Sequence, residues 1–215
     1  MANVRASITM SIDGFVAGPN QSREHGLGEG GEALHDWIVP LEAWRRAHGL
    51  EGGDVNASTP VVEELEQGFG AVVMGRNMFG PVRGPWGDDA WRGWWGDEPP
   101  FRAPVFVLTH HAREPLELRG GTTFHFVTDG IESALERARD AANGSDVSIA
   151  GGASTIQQYL AAGLIDVLLL SVVPLVLGSD ARLFDNLGAH PPQLEQVEAI
   201  DAPGVTHLRY RVVKS

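Results

Sequence analysis

The sequence predicts an α/β fold with a largely parallel central sheet and an antiparallel carboxyl-terminal edge. Three observations carry that reading. Continuous apolar runs of strand length, "AVVMG" (71–75) and "PVFVLT" (104–109), suit strands covered on both faces, as in a parallel sheet. Segments with helix-start signals stand between such runs. The chain closes on "VTHLRYRVVKS", where Thr206, Leu208, Tyr210 and Val212 alternate with period two.

Taken in order, "VRASITMS" (4–11) is the first strand, and it ends at the turn-rich "IDGFVAGPN". Residues 20–58 form a polar, glycine-rich insertion, a candidate lid, with a helical patch at "EALHDWIVPLEAWRRA" that Pro40 kinks or divides. "STPVVEELEQGFG" opens a helix with Ser58 or Thr59 as N-cap and Pro60 in the first turn. "TFHFVT" (123–128) is a further strand. "DGIESALERARDAA" is a helix with Asp129 and Glu132 as a capping box. "DVSIAGG" is a strand running into a glycine pair, and "STIQQYLAAGLID" is a helix with Ser154 as cap and Gly163 as stop. "DVLLLSVVPLVLG" supplies another strand. The chain reads as one domain over 1–215, with the insertion and a tryptophan-rich loop at about 84–98.

Composition excludes several classes of function. A formal charge of −12 lacks the basic face that nucleic acid requires, although a local arginine can still hold a small anion. The absence of cysteine removes disulfide frameworks, thiolate zinc sites and cysteine nucleophiles. No apolar run reaches the roughly 18 residues of a membrane span, and "MANVRASITM" has no secretory h-region, so a cytoplasmic protein without a membrane partner is expected. The eight histidines form no metal-like cluster, and no G-x-S-x-G motif is present. "GLGEGG" (26–31) follows no strand and is not a dinucleotide fingerprint.

In open α/β sheets ligands bind beyond the carboxyl ends of the strands, and three strand ends here are chemically suggestive. "VVMG" runs into Arg76 and Asn77, "VFVL" into Thr109, His110 and His111, and "VSIA" into Gly151 and Gly152. A glycine pair lets backbone approach a pyrophosphate, and the following helix would aim its N–H groups at it; a tight turn without ligand reads the same way. Arg76 suits a bidentate phosphate grip or a surface ion pair. Asp13 and Asp36 are candidates for substrate binding or proton supply; the alternatives are a turn cap for Asp13 and a plain N-cap or a solvated helix residue for Asp36. Trp86, Trp91, Trp94 and Trp95 call for burial as a pocket wall, a cofactor cover, a dimer contact or a satellite cluster.

The ordered set "SITMSIDGFVAGP", "MGRNMF", "LTHH", "AGGAST" and "PLVLG…RLF" resembles the dihydrofolate-reductase-like superfamily. Within it the chain is most similar to the carboxyl-terminal domain of bacterial bifunctional deaminase–reductases of riboflavin biosynthesis. The resemblance implies a three-layer α/β/α sandwich, a homodimer and NADPH lying across the strand ends. Gly75, Arg76 and Asn77 match the turn that holds the 2′-phosphate, and Thr109 and His110 match the second adenosine-side turn. Gly151, Gly152, Ala153, Ser154 and Thr155 match the pyrophosphate turn. Gly14, Val16 and Ala17, with Phe15 between them, match the segment that closes over the nicotinamide. Phe15, Trp37 and Phe79 are the substrate-side candidates. Phe15 and Ala150 stand where that group carries a lysine and a glutamate. The implied activity is reduction of a small heterocyclic or carbonyl substrate, similar to 5-amino-6-(5-phosphoribosylamino)uracil reduction. Dihydrofolate reduction and a non-catalytic dinucleotide-binding role are the alternatives.

Overall fold

In a computed structural model, described for residues 2–81, 83–87, 91–178 and 181–214, the apolar runs build one nine-stranded sheet. The amino-terminal half contributes β1 (Val4–Ser11), α1 (Glu42–Ala47), α2 (Thr59–Glu66), β2 (Phe69–Gly75), the one-turn α3 (Arg76–Phe79) and β3 (Pro104–Leu108). There follow β4 (Leu116–Glu117), β5 (Thr123–Val127), α4 (Ile131–Ala142), β6 (Asp146–Gly151), α5 (Ala153–Ala161), β7 (Val167–Val173), β8 (Gln193–Ala202) and β9 (Val205–Val213).

The sheet order is β4-β5-β3-β2-β6-β1-β7-β9-β8. From β5 to β7 all neighbours are parallel, and β9 and β8 complete an antiparallel edge, as the sequence predicts. Such a sheet must be covered on both faces. On one face, Ala6, Val73, Ile149 and Leu170 pack against Leu135 and Ala138 of α4 and Ile156 and Leu160 of α5. On the other, Leu34, Trp37 and Leu41 of the insertion join Val62 of α2 and Val173, Ala202 and Val205 in a second core. The insertion is therefore a packed cover with its own apolar centre. A short 3-10 helix (Gly31–His35) and α1 lie on either side of Pro40, which does divide the helical patch.

The tryptophan loop packs beside β2 and β3, where Trp86, Trp91 and Trp95 join Phe79, Phe101 and Phe124. Edge-on ring pairs recur in this cluster, the arrangement that aromatic quadrupoles favour. Trp86 donates its indole N–H to the His111 carbonyl and Trp91 to that of Phe79, which satisfies both polar tips.

Three expected caps differ from the structure. At α2, Ser58 holds the N-cap position but makes no side-chain capping bond. Helix α4 starts at Gly130 with no side-chain cap, because the Asp129 carboxylate accepts instead from Ser133 and Arg137, each at 2.9 Å. Helix α5 is capped two residues earlier than Ser154 suggests, at Gly152, which puts the glycine pair itself at the helix mouth.

Candidate active site at the carboxyl rim of the sheet

The sequence reading placed chemistry at three strand ends, and the topology makes those strands adjacent: β3, β2 and β6 are consecutive in the sheet. Their turns open onto a cleft of about 1220 Å³ lined by Gly75, Arg76, Asn77, Thr109, His110, Gly152, Ala153, Ser154 and Thr155, among others.

Arg76 follows β2 directly, so its guanidinium cannot reach far from the rim. It donates to Thr109 Oγ1 at 3.1 Å and to the Gly84 carbonyl at 3.4 Å, and it lies over the Trp86 ring. Its Nε is buried without a hydrogen-bond partner. Burial, and then the neighbouring charges of Arg113 and Arg83, bring its pKa down to about 10. It stays charged at neutral pH, and an anion at this corner would relieve both penalties. Arg83 in turn donates to Asn77 Oδ1.

The β6–α5 turn is built for close approach. Gly151 has φ +113, a backbone region open to glycine, and its peptide bond to Gly152 is cis. A Cβ added at Gly152 would meet nothing within 4 Å, so the turn faces open space. Next door, a Cβ at Gly75 would lie 2.3 Å from Thr155 Oγ1, so glycine there is a packing requirement between β2 and α5. The mouth of nine-residue α5 thus presents backbone N–H groups and the positive dipole end to the cleft.

The segment after β1 divides into two roles. Val16 and Ala17 line the cleft. Gly14 takes φ +88, and its carbonyl and the Val16 N–H pair with the backbone of Leu183 and Ala181. Phe15 is buried and does not line the cleft; Arg182 lies over its ring at 4.9 Å. Asp13 does not line the cleft either. Its carboxylate accepts from Ser11 Oγ at 2.5 Å and from the backbone N–H groups of Gly178 at 2.8 Å and Leu177 at 3.2 Å. The Ser11 hydroxyl, and then those backbone bonds, hold its pKa below the ordinary carboxylate value, so Asp13 ties two loops together and is a poor proton donor.

Asp36 is exposed at the end of the 3-10 helix, and the cleft is lined instead by its neighbours His35 and Trp37. Burial keeps the His35 imidazole below its usual pKa, partly offset by the Asp36 charge. Trp37 is buried, meets the His207 ring edge-on at 4.8 Å, and leaves its indole nitrogen without a partner. Phe79 is wholly buried among Trp86, Phe124 and Phe126 and supports the cleft wall from behind. Trp94 and Trp95 line the cleft, so the tryptophan loop is both a satellite core and a wall.

The sequence reading missed the floor. Ser7 and Thr9 of β1, Ser148 of β6 and Ser171 of β7 all face the cleft. The signals were present: Ser7, Thr9 and Ser11 alternate on one face of β1, and Ser171 is the one polar residue in "VLLLSVV". Among the described residues, no group of three His, Asp or Glu side chains could hold a metal ion, and no helix is long and apolar enough to cross a membrane.

A parallel sheet with antiparallel carboxyl-terminal strands and a cleft across its strand ends defines a dihydrofolate-reductase-like α/β protein. Residues 2–207 match the RibD C-terminal domain family, and the chain belongs to that family. No curated protein matches the chain significantly. Among solved structures, a protein attributed to riboflavin biosynthesis from Shewanella sp. PV-4 is 20% identical with TM-score 0.62, and 99% of each chain is covered. A diaminohydroxyphosphoribosylaminopyrimidine deaminase/5-amino-6-(5-phosphoribosylamino)uracil reductase from Thermotoga maritima is 16% identical with TM-score 0.59; 99% of this chain covers 57% of that one. Dihydrofolate reductase from Enterococcus faecalis, complexed with NADP(H), is 13% identical with TM-score 0.50 over 99% of this chain and 97% of that one.

Proposed function

We propose that this protein is an NADPH-dependent reductase of a small heterocyclic or carbonyl substrate. The observation that carries the reading is the adjacency of β3, β2 and β6, which gathers Arg76, Thr109 and the Gly152 turn on one rim. The residues fit the cofactor on chemical grounds. The partly orphaned Arg76, crowded by Arg83 and Arg113, suits the 2′-phosphate, and Thr109 would share that contact. The open Gly152 turn and the N–H groups of Ala153 and Ser154 suit the pyrophosphate. Val16 and Ala17 would bound the nicotinamide side. Membership of the RibD C-terminal domain family, and the reductase named in the Thermotoga maritima relative, support the same reading.

When bound, NADPH supplies a hydride from its nicotinamide ring. The protein's own contribution is positioning and exclusion of water. Trp37, Trp94 and Trp95 wall the acceptor side and lower its water content. Asp13 and Asp36 do not reach that space, so a proton for the product comes from His35, from water at the rim or from the floor hydroxyls.

The test is NADPH oxidation with 5-amino-6-(5-phosphoribosylamino)uracil, dihydrofolate and a set of small carbonyls as acceptors. Turnover of at least one acceptor, with deuterium carried from labelled nicotinamide into product, is the expected result. NADPH binding without any turnover would favour a non-catalytic dinucleotide-binding protein.

A further inference from the structure

The chain holds four methionines and no cysteine, so its sulfur chemistry rests on thioethers alone. Met1 lies outside the described residues. Met74 is wholly buried in β2, and Met10 of β1 packs half-buried against the main core without lining the cleft. Met78 differs from both. It sits on the single turn α3 that follows β2, is half-buried, and lines the cleft beside Arg76 and Gly152. Its Sδ stands 3.9 Å from the point where a Cβ on Gly151 would lie, so the sulfur borders the bare backbone of the β6–α5 turn. Gly151 has φ +113, and no side chain of its own screens the turn from that sulfur.

A thioether is oxidised where an oxidant can reach it, and access to the cleft singles out Met78. Attack on a peroxide needs no catalytic group. The sulfur donates an electron pair to one peroxide oxygen, the O–O bond breaks, and the other oxygen leaves as water with both protons. Sulfur loses two electrons and the peroxide gains them. The sulfoxide replaces an apolar side chain by a polar one with a strong acceptor oxygen. At Met78 that oxygen would stand by the mouth of α5, where the N–H groups of Ala153 and Ser154 have no partner within the helix. It would compete there for the donors that suit a pyrophosphate, and its negative end would repel the anion.

We propose that Met78 is a reversible oxidation site: a peroxide converts its thioether to the sulfoxide, and the sulfoxide closes the neighbouring turn to the dinucleotide. The loss of binding rests on the NADPH reading, whereas the oxidation of Met78 does not. A bound dinucleotide covers the turn and shields the sulfur, so cofactor and oxidant compete for one corner of the cleft. Methionine sulfoxide reductases reopen the site by returning the thioether. The consequence is a consumer of NADPH that shuts down when peroxide is abundant and the cofactor is scarce.

The experiment treats the full chain with limiting hydrogen peroxide and follows the gain of one oxygen at each methionine by peptide mass spectrometry. Met78 oxidises severalfold faster than Met10, and Met74 reacts last. Saturating NADP⁺ slows oxidation of Met78 severalfold and leaves Met10 unaffected. The oxidised protein binds NADPH at least about tenfold more weakly in a fluorescence titration, the scale of one hydrogen bond to a charged group. Methionine sulfoxide reductases of both stereospecificities together restore the affinity. In Met78→Leu the NADPH affinity, whatever its starting value, no longer responds to peroxide. Met78→Gln, which carries a polar acceptor in place of the thioether, behaves like the oxidised protein without any peroxide. Should either variant fail to fold, the wild-type time course and its reversal still decide the matter. Oxidation of Met78 no faster than that of Met10, or an unchanged NADPH affinity once Met78 is oxidised, overturns the inference. A wild type that binds no NADPH removes the reductase reading and the switch with it, while the order of oxidation still shows whether Met78 is the reactive thioether.

Discussion

The Arg76 guanidinium donates to Thr109 Oγ1 at 3.1 Å, joining the carboxyl ends of two adjacent strands at the corner where an adenosine phosphate would sit. Two residues 33 positions apart become neighbours because the β2–β3 register leaves them side by side. Arg76→Ala is expected to weaken NADPH about 10- to 100-fold, as for loss of a charged hydrogen-bond pair, and to leave NADH nearly unchanged. Thr109→Val should give a smaller loss in the same direction. Fluorescence titration with both cofactors measures this, and an unchanged ratio in Arg76→Ala removes the phosphate role from that residue.

Gly75 and Gly152 are adjacent to the same helix mouth but differ in why they are glycine. A Cβ at Gly152 meets open space, whereas one at Gly75 meets Thr155 Oγ1. Gly152→Val should leave thermal stability within a few degrees of wild type while obstructing the dinucleotide. Gly75→Ala should lower stability by about 1–3 kcal/mol through overpacking and impair binding as a consequence. Thermal melts and NADPH titrations of the two variants should separate these effects.

Asp13 is a loop tie, since its partners Leu177 and Gly178 lie across the fold. Its folded pKa is below the unfolded one, so its contribution is present above about pH 4 and lost as pH falls through the folded value. Asp13→Asn should therefore lower stability at neutral pH and reduce the acid dependence below pH 4. It should not abolish reductase turnover measured per folded molecule. Abolition with intact folding would return Asp13 to the catalytic machinery.

His35, His125 and His207 all have pKa values lowered mainly by burial. The unfolded chain then binds protons that the native state resists. Stability is full above about pH 6.5, the unfolded histidine value, and declines as pH falls toward the lower folded values. Melting temperatures from pH 8 to pH 5 should show this decline, and His207→Gln should flatten part of it while lowering the plateau. A stability curve that rises on acidification through this range would contradict the assignment.

The parallel sheet and the rim were legible because apolar runs ending in glycine or arginine record burial on both faces followed by a strand end. Strand β8 was not legible: it is an edge strand with nearly all of its side chains exposed, so no burial pattern marks it. The one-turn helix α3 was hidden because four residues are too few to show a period. The Ser58–His207 contact and the Asp13 loop tie were hidden for a different reason. Ser58 and His207 are separated by 149 positions, and Asp13 and Gly178 by 165, so their roles exist only after the fold closes. Asp13 and Asp36 were natural proton donors by residue type, but only the structure shows that the Asp13 carboxylate is committed to a loop tie and that Asp36 is exposed.

The most direct measurement of the central claim is a paired titration of the wild-type protein with NADPH and NADH, followed by tryptophan quenching and nicotinamide fluorescence. The rim predicts saturable one-to-one binding of NADPH at least about tenfold tighter than NADH, the factor that one good arginine–phosphate contact supplies. Absence of NADPH binding, or equal affinity for the two cofactors, would contradict the account.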